Sequence, residues 1–150
     1  MRAVVQRVTD ADVTVEGNIT GKINKGFVVL IGVEDGDTEK DIDYIAKKVA
    51  NLRVFEDEAG LMNVSLKDIN GEILAISQFT LLGDGRKGNR PSFFTAAQPD
   101  IANDFYQKVI AKWREEFDLH VEEGVFQAEM LVRINNDGPV TILLDSRKLF

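Results

Sequence analysis

The chain has 150 residues, 44% of them hydrophobic and 29% charged, with 12 Gly, 3 Pro and no Cys. That length suits one domain with a sizeable core, and the composition excludes disorder, collagen-like repeats, disulfide scaffolds and thiolate chemistry. Eighteen Lys and Arg against 25 Asp and Glu give a net charge of −7, which argues against a broad phosphate-contacting surface and leaves any nucleic-acid contact local.

No apolar run approaches the roughly 18 residues of a membrane-spanning helix. The opening Met1-Arg2-Ala3-Val4-Val5-Gln6-Arg7 is polar again by residue 6, so no secretory leader is expected and a cytoplasmic location is. No linker, repeat or biased segment divides residues 1–150, which read as a single domain.

Residues 2–8 predict a valine-rich strand. Residues 11–16 alternate polar and apolar as a half-buried strand does. Gly17-Asn18 signals a turn before Ile19–Ile23, hence a hairpin. Phe27–Val33 is a short, continuously apolar strand that Asp35-Gly36-Asp37 ends. Thr38-Glu39-Lys40-Asp41 has the pattern of a capping box, and Ile42, Ile45, Ala46, Val49 and Leu52 follow at helical spacing. A helix is expected over 38–52.

Leu52–Glu56 and Leu61–Ser65 flank an Asp-Glu-Ala-Gly turn. Glu72–Leu82 is expected as one long strand, followed by a Gly-rich basic loop from Gly83 to about Ala97. Pro99 suits the first turn of a second helix, 99–117, with Ile101, Ala102, Phe105, Val109, Trp113 and Phe117 on its buried face. His120–Glu123, Glu129–Asn135 and Val140–Asp145 read as closing strands. Helices and strands do not alternate one for one. The fold class expected is α+β, a mostly antiparallel, barrel-like sheet with two helices packed on one side.

Most familiar chemistries fail on the residues present. Gly83-x-Gly85-x-x-Gly88 matches a dinucleotide fingerprint by letter, but Asn89-Arg90-Pro91 resist the helix whose N-terminus would hold a pyrophosphate. Gly88 is followed by Asn89, so there is no P-loop. His120 is the only histidine, without an apparent Ser, Cys or metal partner. No Gly-x-Ser-x-Gly elbow exists. Asp35-Gly36-Asp37 and Glu56-Asp57-Glu58 lack calcium or zinc spacing and are expected as solvated turns. Neither a metal nor a cofactor is expected.

Two segments stand out. In Ser77-Gln78-Phe79-Thr80, three polar side chains sit between apolar runs and suit the wall of a polar pocket, or simply strand polars bonded locally. Asn135-Asn136-Asp137-Gly138-Pro139-Val140-Thr141 has the composition of a turn between strands, and its Gly-Pro bond permits a cis peptide.

With the opening Met-Arg-Ala-Val-Val-Gln-Arg-Val, with Asn51-Leu52-Arg53-Val54-Phe55-Glu56-Asp57 and with Lys87-Gly88-Asn89-Arg90-Pro91-Ser92-Phe93, these segments resemble the signatures of the D-aminoacyl-tRNA deacylase family. They occur in the family's order along essentially the whole chain. One departure is visible: Gln127, in Phe126-Gln127-Ala128-Glu129-Met130, stands where the family usually has glycine.

The resemblance implies a homodimer that hydrolyses the ester between a D-amino acid and the terminal ribose of tRNA, and that also accepts glycyl-tRNA. An aminoacyl ester is already activated, so a positioned water suffices if the oxyanion is stabilised. On this reading Ser77, Gln78, Phe79 and Thr80 are the catalytic segment, with the Phe79-Thr80 backbone N–H groups as oxyanion donors. Thr80 positions rather than attacks, since a lone hydroxyl without a base is a weak nucleophile.

The resemblance further places Gly138 and Pro139 in the partner subunit's pocket, where their carbonyls hold the α-amino group and exclude an L side chain. Arg7 bonds to that segment and holds it, and Arg7, Asn136 and Met130 join the substrate-binding set. Arg86, Lys87 and Arg90 are the expected tRNA contacts. No membrane or DNA partner is expected. A non-catalytic module that binds the aminoacylated tRNA 3′ end, and a small-metabolite hydrolase or deaminase indifferent to tRNA, are the competing classes.

Overall fold

A computed structural model describes residues 1–150. Its elements run in chain order β1 (Arg2–Val15), β2 (Asn18–Ile23), β3 (Gly26–Gly32), α1 (Glu39–Asn51), β4 (Phe55–Glu56), β5 (Met62–Val64), β6 (Glu72–Ser77), a 3-10 turn (Phe79–Leu82), α2 (Pro99–Glu115), β7 (His120–Glu123) and β8 (Leu131–Asp145). No helix is long and apolar enough to cross a membrane.

The main sheet runs β2-β1-β3-β6-β7, with β8 also pairing β1. Strand β1 meets β2, β3 and β8 antiparallel, whereas β3–β6 and β6–β7 are parallel. The expected α+β class holds. Gly21 of β2 lies against Leu74 and Glu123 of β6 and β7, so the sheet curls nearly closed.

One core joins the sheet to both helices: Val5, Phe27, Val29, Ile73 and Val121 meet Ile42, Ile45, Val49, Tyr106, Val109 and Trp113. A smaller core of Val8, Val13, Ile23, Val28, Leu74 and Ile76 fills the barrel side. Strand β3 carries Phe27 and Val29 in one core and Val28 in the other. A strand buried on both faces has no polar positions to alternate, which accounts for its continuous apolar run.

Helix α1 starts as expected, with Thr38 accepting from the Lys40 N–H and Asp41 returning the contact to the Thr38 backbone. Helix α2 buries Ala102, Tyr106, Val109, Ile110 and Trp113, a face rotated from the expected one. Ile101 is exposed. The Tyr106 hydroxyl donates to the Ala75 carbonyl at 2.9 Å and Trp113 Nε1 to the Ala46 carbonyl at 3.0 Å. Each ring thus satisfies its polar end while burying its body.

Four further expectations are corrected. The two strands expected over 2–8 and 11–16 are one, β1, ending at Val15 and bent by register shifts between Gln6 and Val8 and between Val8 and Ala11. Strand β6 stops at Ser77, because the chain turns into the 3-10 segment. The closing pair over 129–145 is a single strand, β8, and Asn135–Thr141 is an interruption within it rather than a turn between strands. Asp37 is not solvated: its side chain is buried and takes bonds from the Glu34 N–H at 2.8 Å and Arg147 at 3.2 Å.

Candidate active site

The polar segment after β6 lies at the end of a parallel strand pair. Ile31 of β3 is registered with Ser77, and the Gln78 N–H donates to the Ile31 carbonyl at 2.7 Å. Beyond Gln78 the chain winds into the 3-10 turn, where Leu81 donates to the Gln78 carbonyl and Gly83 to the Thr80 carbonyl. The N–H groups of Phe79 and Thr80, first in that turn, find no backbone acceptor. The opening N–H groups of any helical turn lack partners within it. The Gln78 side-chain amide bonds the Thr80 hydroxyl.

One wall of a cleft of about 750 Å³ is built from this segment, though Thr80 is exposed and does not line it, and the size suits a small ligand. Ser77, Gln78 and Phe79 line it beside Ile31, Val33 and Ile76. Ala96–Pro99, leading into α2, closes one side, and Phe126–Met130 the other. Most of the lining is apolar, and Glu129 is its one ionisable side chain. No group of three His, Asp or Glu side chains is placed to hold a metal ion.

A cavity of about 340 Å³ lies at the opposite end of β6, where Glu72 and His120 face Lys25 and Lys67. His120 Nε2 stands 3.4 Å from Glu72 and 3.3 Å from Glu122. None of the expected site residues is there.

The second expected constellation assembles elsewhere. Between Gln6 and Val8 of β1, the paired positions on β8 jump from Thr141 to Asn136. One residue, Arg7, therefore opposes four, Asp137–Val140, which are extruded as an enlarged β-bulge. The Gly138–Pro139 bond within it is cis.

Arg7 is buried. Its Nε donates to the Asp137 carbonyl at 3.2 Å and its Nη1 to the Val54 carbonyl at 2.7 Å. The Asn136 amide donates to the Arg7 and Val140 carbonyls, at 2.9 and 3.1 Å. Both ends of the bulge are therefore tied down.

The two constellations are separate within one chain. Arg7 is registered with Phe27 and Ser77 with Ile31, four residues or roughly 13 Å along β3 at the usual strand rise. Gly138 and Pro139 do not line the cleft, whereas Met130 does.

The expected tRNA contacts lie on the loop after the 3-10 turn, pinned by reciprocal backbone bonds between Asp84 and Ser92 at 2.7 and 2.9 Å. Arg86 forms a two-pronged contact with Asp84 at 2.9 and 2.7 Å, which holds the Asp84 carboxyl well below the usual carboxylate range. Lys87 and Arg90 are exposed and unpaired. None of the three lines the cleft.

Sequence reasoning missed the walls at Ala96–Pro99 and Phe126–Glu129. Only the Pro99 helix start and the odd Gln127 marked them. Gln127 keeps φ 64°, with the Ala128 N–H donating to the Val125 carbonyl at 3.1 Å. That turn favours glycine at this position.

The profile of the D-Tyr-tRNA(Tyr) deacylase family matches residues 4–145. The chain is 59% identical to a D-aminoacyl-tRNA deacylase of Kosmotoga olearia, and equally to one of Desulfitobacterium hafniense, over 150 residues and the full length of both partners. A solved structure named c-Myc DNA Unwinding Element Binding Protein is 44% identical, with a TM-score of 0.90, covering 97% of this chain and 98% of that one. Another, described as a probable eukaryotic D-amino acid tRNA deacylase, shares the fold at TM-score 0.79 and 18% identity, covering 95% and 97%.

Proposed function

The chain belongs to the D-Tyr-tRNA(Tyr) deacylase family of D-aminoacyl-tRNA hydrolases, and from that premise we propose how it tells D from L and where the ester is cut. The acceptor end enters the 750 Å³ cleft with its ester carbonyl at the Phe79 and Thr80 N–H groups. Water adds to the carbonyl carbon, the carbonyl oxygen becomes the oxyanion, and those two donors stabilise it. Collapse breaks the bond to the ribose oxygen, which takes a proton, with the vicinal hydroxyl of the ribose assisting. The added water loses its other proton as the D-amino acid leaves as a carboxylate. Ser77 and Gln78 order the adenosine, and Gln78 in turn fixes the Thr80 hydroxyl.

Handedness is judged by the Gly138–Pro139 backbone of a second copy of the chain. The observation that carries this is the distance of roughly 13 Å along β3 between the Arg7 bulge and the cleft. A bulge midway along β8, clamped by Arg7 and Asn136 and absent from the lining of its own chain's cleft, is held away from that site. It is well placed to enter a neighbour's.

Strand β8 supports a homodimer too. It pairs only with β1, and Leu131 and Leu143 are exposed on it, a combination that soluble proteins cover. A rigid backbone wedge leaves no volume for an L side chain. It ignores the side chain of a D residue, which points outward, and passes glycine, which has none. Arg7 and Asn136 hold the wedge, Met130 bounds the substrate, and Lys87 and Arg90, with Arg86, meet the backbone phosphates.

The reaction belongs to cytoplasmic translation, where mischarged tRNA arises. Duplex DNA is a poor fit, because three loop cations in a chain of net charge −7 neutralise few phosphates.

Deacylation of paired D- and L-aminoacyl-tRNAs, with glycyl-tRNA alongside, tests the reading at protein concentrations above and below dimer dissociation. The D and glycyl esters are expected to be cleaved, the L ester spared, and the discrimination lost on dilution. A fully active, stereoselective monomer overturns the shared pocket.

A further inference from the structure

Phe94 is 93% exposed, the most exposed large hydrophobic side chain in the protein, and no partner covers it. Its neighbour Phe93 turns inward, packing edge-on against Phe79 with ring centroids 5.2 Å apart, and lines the cleft. The backbone between Ser92 and Ala96 is held. Ser92 is bonded to Asp84, the Phe94 N–H reaches the Ser92 hydroxyl at 3.4 Å, and the Thr95 carbonyl accepts from Asp35 at 2.8 Å. Phe94 therefore projects from a fixed base on the cleft rim. The same loop, residues 83–97, carries three cations against one carboxylate in a chain of net charge −7, and Lys87 and Arg90 are free of ion pairs.

We propose that Phe94 is a stacking platform for an unpaired base of the single-stranded RNA that leads into the cleft, with Lys87 and Arg90 flanking it on the phosphates. This rests on the reading that the acceptor end enters beside this loop. An exposed ring beside unpaired cations is how proteins hold single-stranded nucleic acid without reading its sequence. The ring offers its face to any base and the cations track the backbone. A helical or lipid partner would call for several apolar residues in a stripe, whereas Phe94 is flanked by Phe93, which packs on Phe79 and lines the cleft, and by the polar Thr95. In a chain of net charge −7, which neutralises few phosphates, stacking supplies affinity that cations do not.

The test uses an RNA hairpin whose unpaired 3′ end carries a D-alanine through a non-hydrolysable amide. Phe94→Ala is expected to weaken binding about 10-fold, Phe94→Trp to restore it, and Phe94→Leu, equally apolar but not aromatic, to fail. Replacing the unpaired nucleotides before the terminal adenosine by abasic ones is expected to erase the difference between wild type and Phe94→Ala. A Phe94→Leu protein that binds like wild type, or a Phe94→Ala loss that persists on the abasic probe, overturns the proposal. So does a shift from dimer to monomer on sedimentation of Phe94→Ala, which would mean a second copy covers the ring.

Turnover of the D-aminoacyl ester of adenosine alone, which lacks the preceding nucleotides, separates the two layers. Wild-type failure there counts against the cleft reading. Wild-type success with an impaired Phe94→Ala counts against stacking.

Discussion

Arg7 reaches the Asp137 carbonyl at 3.2 Å across 130 residues of sequence, while its other arm holds the Val54 carbonyl at 2.7 Å. One guanidinium thus ties the bulge of β8 to the segment after α1. Its planar fork can serve two acceptors in fixed directions, which a lysine ammonium cannot. Arg7→Lys is expected to leave one carbonyl without its partner, lowering stability by about 1–3 kcal/mol. The rate on D-aminoacyl-tRNA should fall at least about 10-fold, since a misplaced wedge misorients the ester. Urea unfolding and single-turnover deacylation measure the two separately. A stable Arg7→Lys protein with unchanged rate and stereoselectivity would remove Arg7 from the site.

Gly138 has φ 121°, outside the range that L side chains adopt. A Cβ there would stand 2.9 Å from Val140 Cγ2 and 3.1 Å from Arg7 Nη2. Gly138→Ala is therefore expected to cost about 2 kcal/mol or more and to push aside the arm that steadies the bulge. D-aminoacyl-tRNA deacylation should drop more than about 10-fold. An alanine protein with wild-type rates on both the D and L esters would sink the wedge.

Gln127 holds φ 64°, a conformation that costs an L residue about 1–2 kcal/mol. Gln127→Gly relieves that cost, partly offset by the greater freedom glycine gains in the unfolded chain. A net gain of up to about 1 kcal/mol is expected in the urea midpoint, with turnover of D-aminoacyl-tRNA preserved because the backbone is already glycine-like. A destabilised Gln127→Gly protein would mean that the exposed amide makes a contact that the turn needs.

Local signals were legible in the sequence and non-local ones were not. The Thr38–Asp41 capping box and the apolar run of β3 each depend on neighbours within a few residues, and both stand as expected. The Ser77–Thr80 segment was visible as polar residues between apolar ones. Its Ser77–Phe79 part is a cleft wall only because Ile31 registers with Ser77.

The 135–141 stretch has turn composition. That it interrupts one strand follows from β1, which sets one residue against four. Arg7 carries no local mark of its role, since its partners are Val54 and Asp137. The buried face of α2 was misplaced because Tyr106 and Ile110 compete with Phe105 and Ile101 for the core, and the Ala75 carbonyl, not helical spacing, selects Tyr106.

His120 sits at the start of β7 beside Glu72 and Glu122, at the end of β6 opposite the cleft. Chemistry at Phe79 and Thr80 then needs nothing from it. His120→Ala is expected to leave kcat and KM within about 2-fold of wild type, because exposed surface changes away from a site alter little. With one carboxylate in the cleft, EDTA is also expected to spare activity. A large loss in either experiment would move the reaction centre.

Acid stability follows from the carboxylates. Burial pushes the Asp41 carboxyl up, but the Ser146 hydroxyl at 2.6 Å and the Thr38 N–H at 2.7 Å outweigh it and hold it below the ordinary value. Hydrogen bonds from neighbouring groups also lower Asp10, Asp57, Asp68 and Asp84. A carboxylate whose folded pKa lies below its unfolded value, about 3.9 for Asp, stabilises fully above that value. The stabilisation fades as pH falls through the folded pKa. The urea midpoint should therefore change little on account of these groups between about pH 5 and 7 and decline below about pH 4. Asp41→Asn should start lower by about 1 kcal/mol, the usual worth of a helix cap, and decline less steeply. An acid limb of the same slope in Asp41→Asn would show that the cap contributes nothing to it.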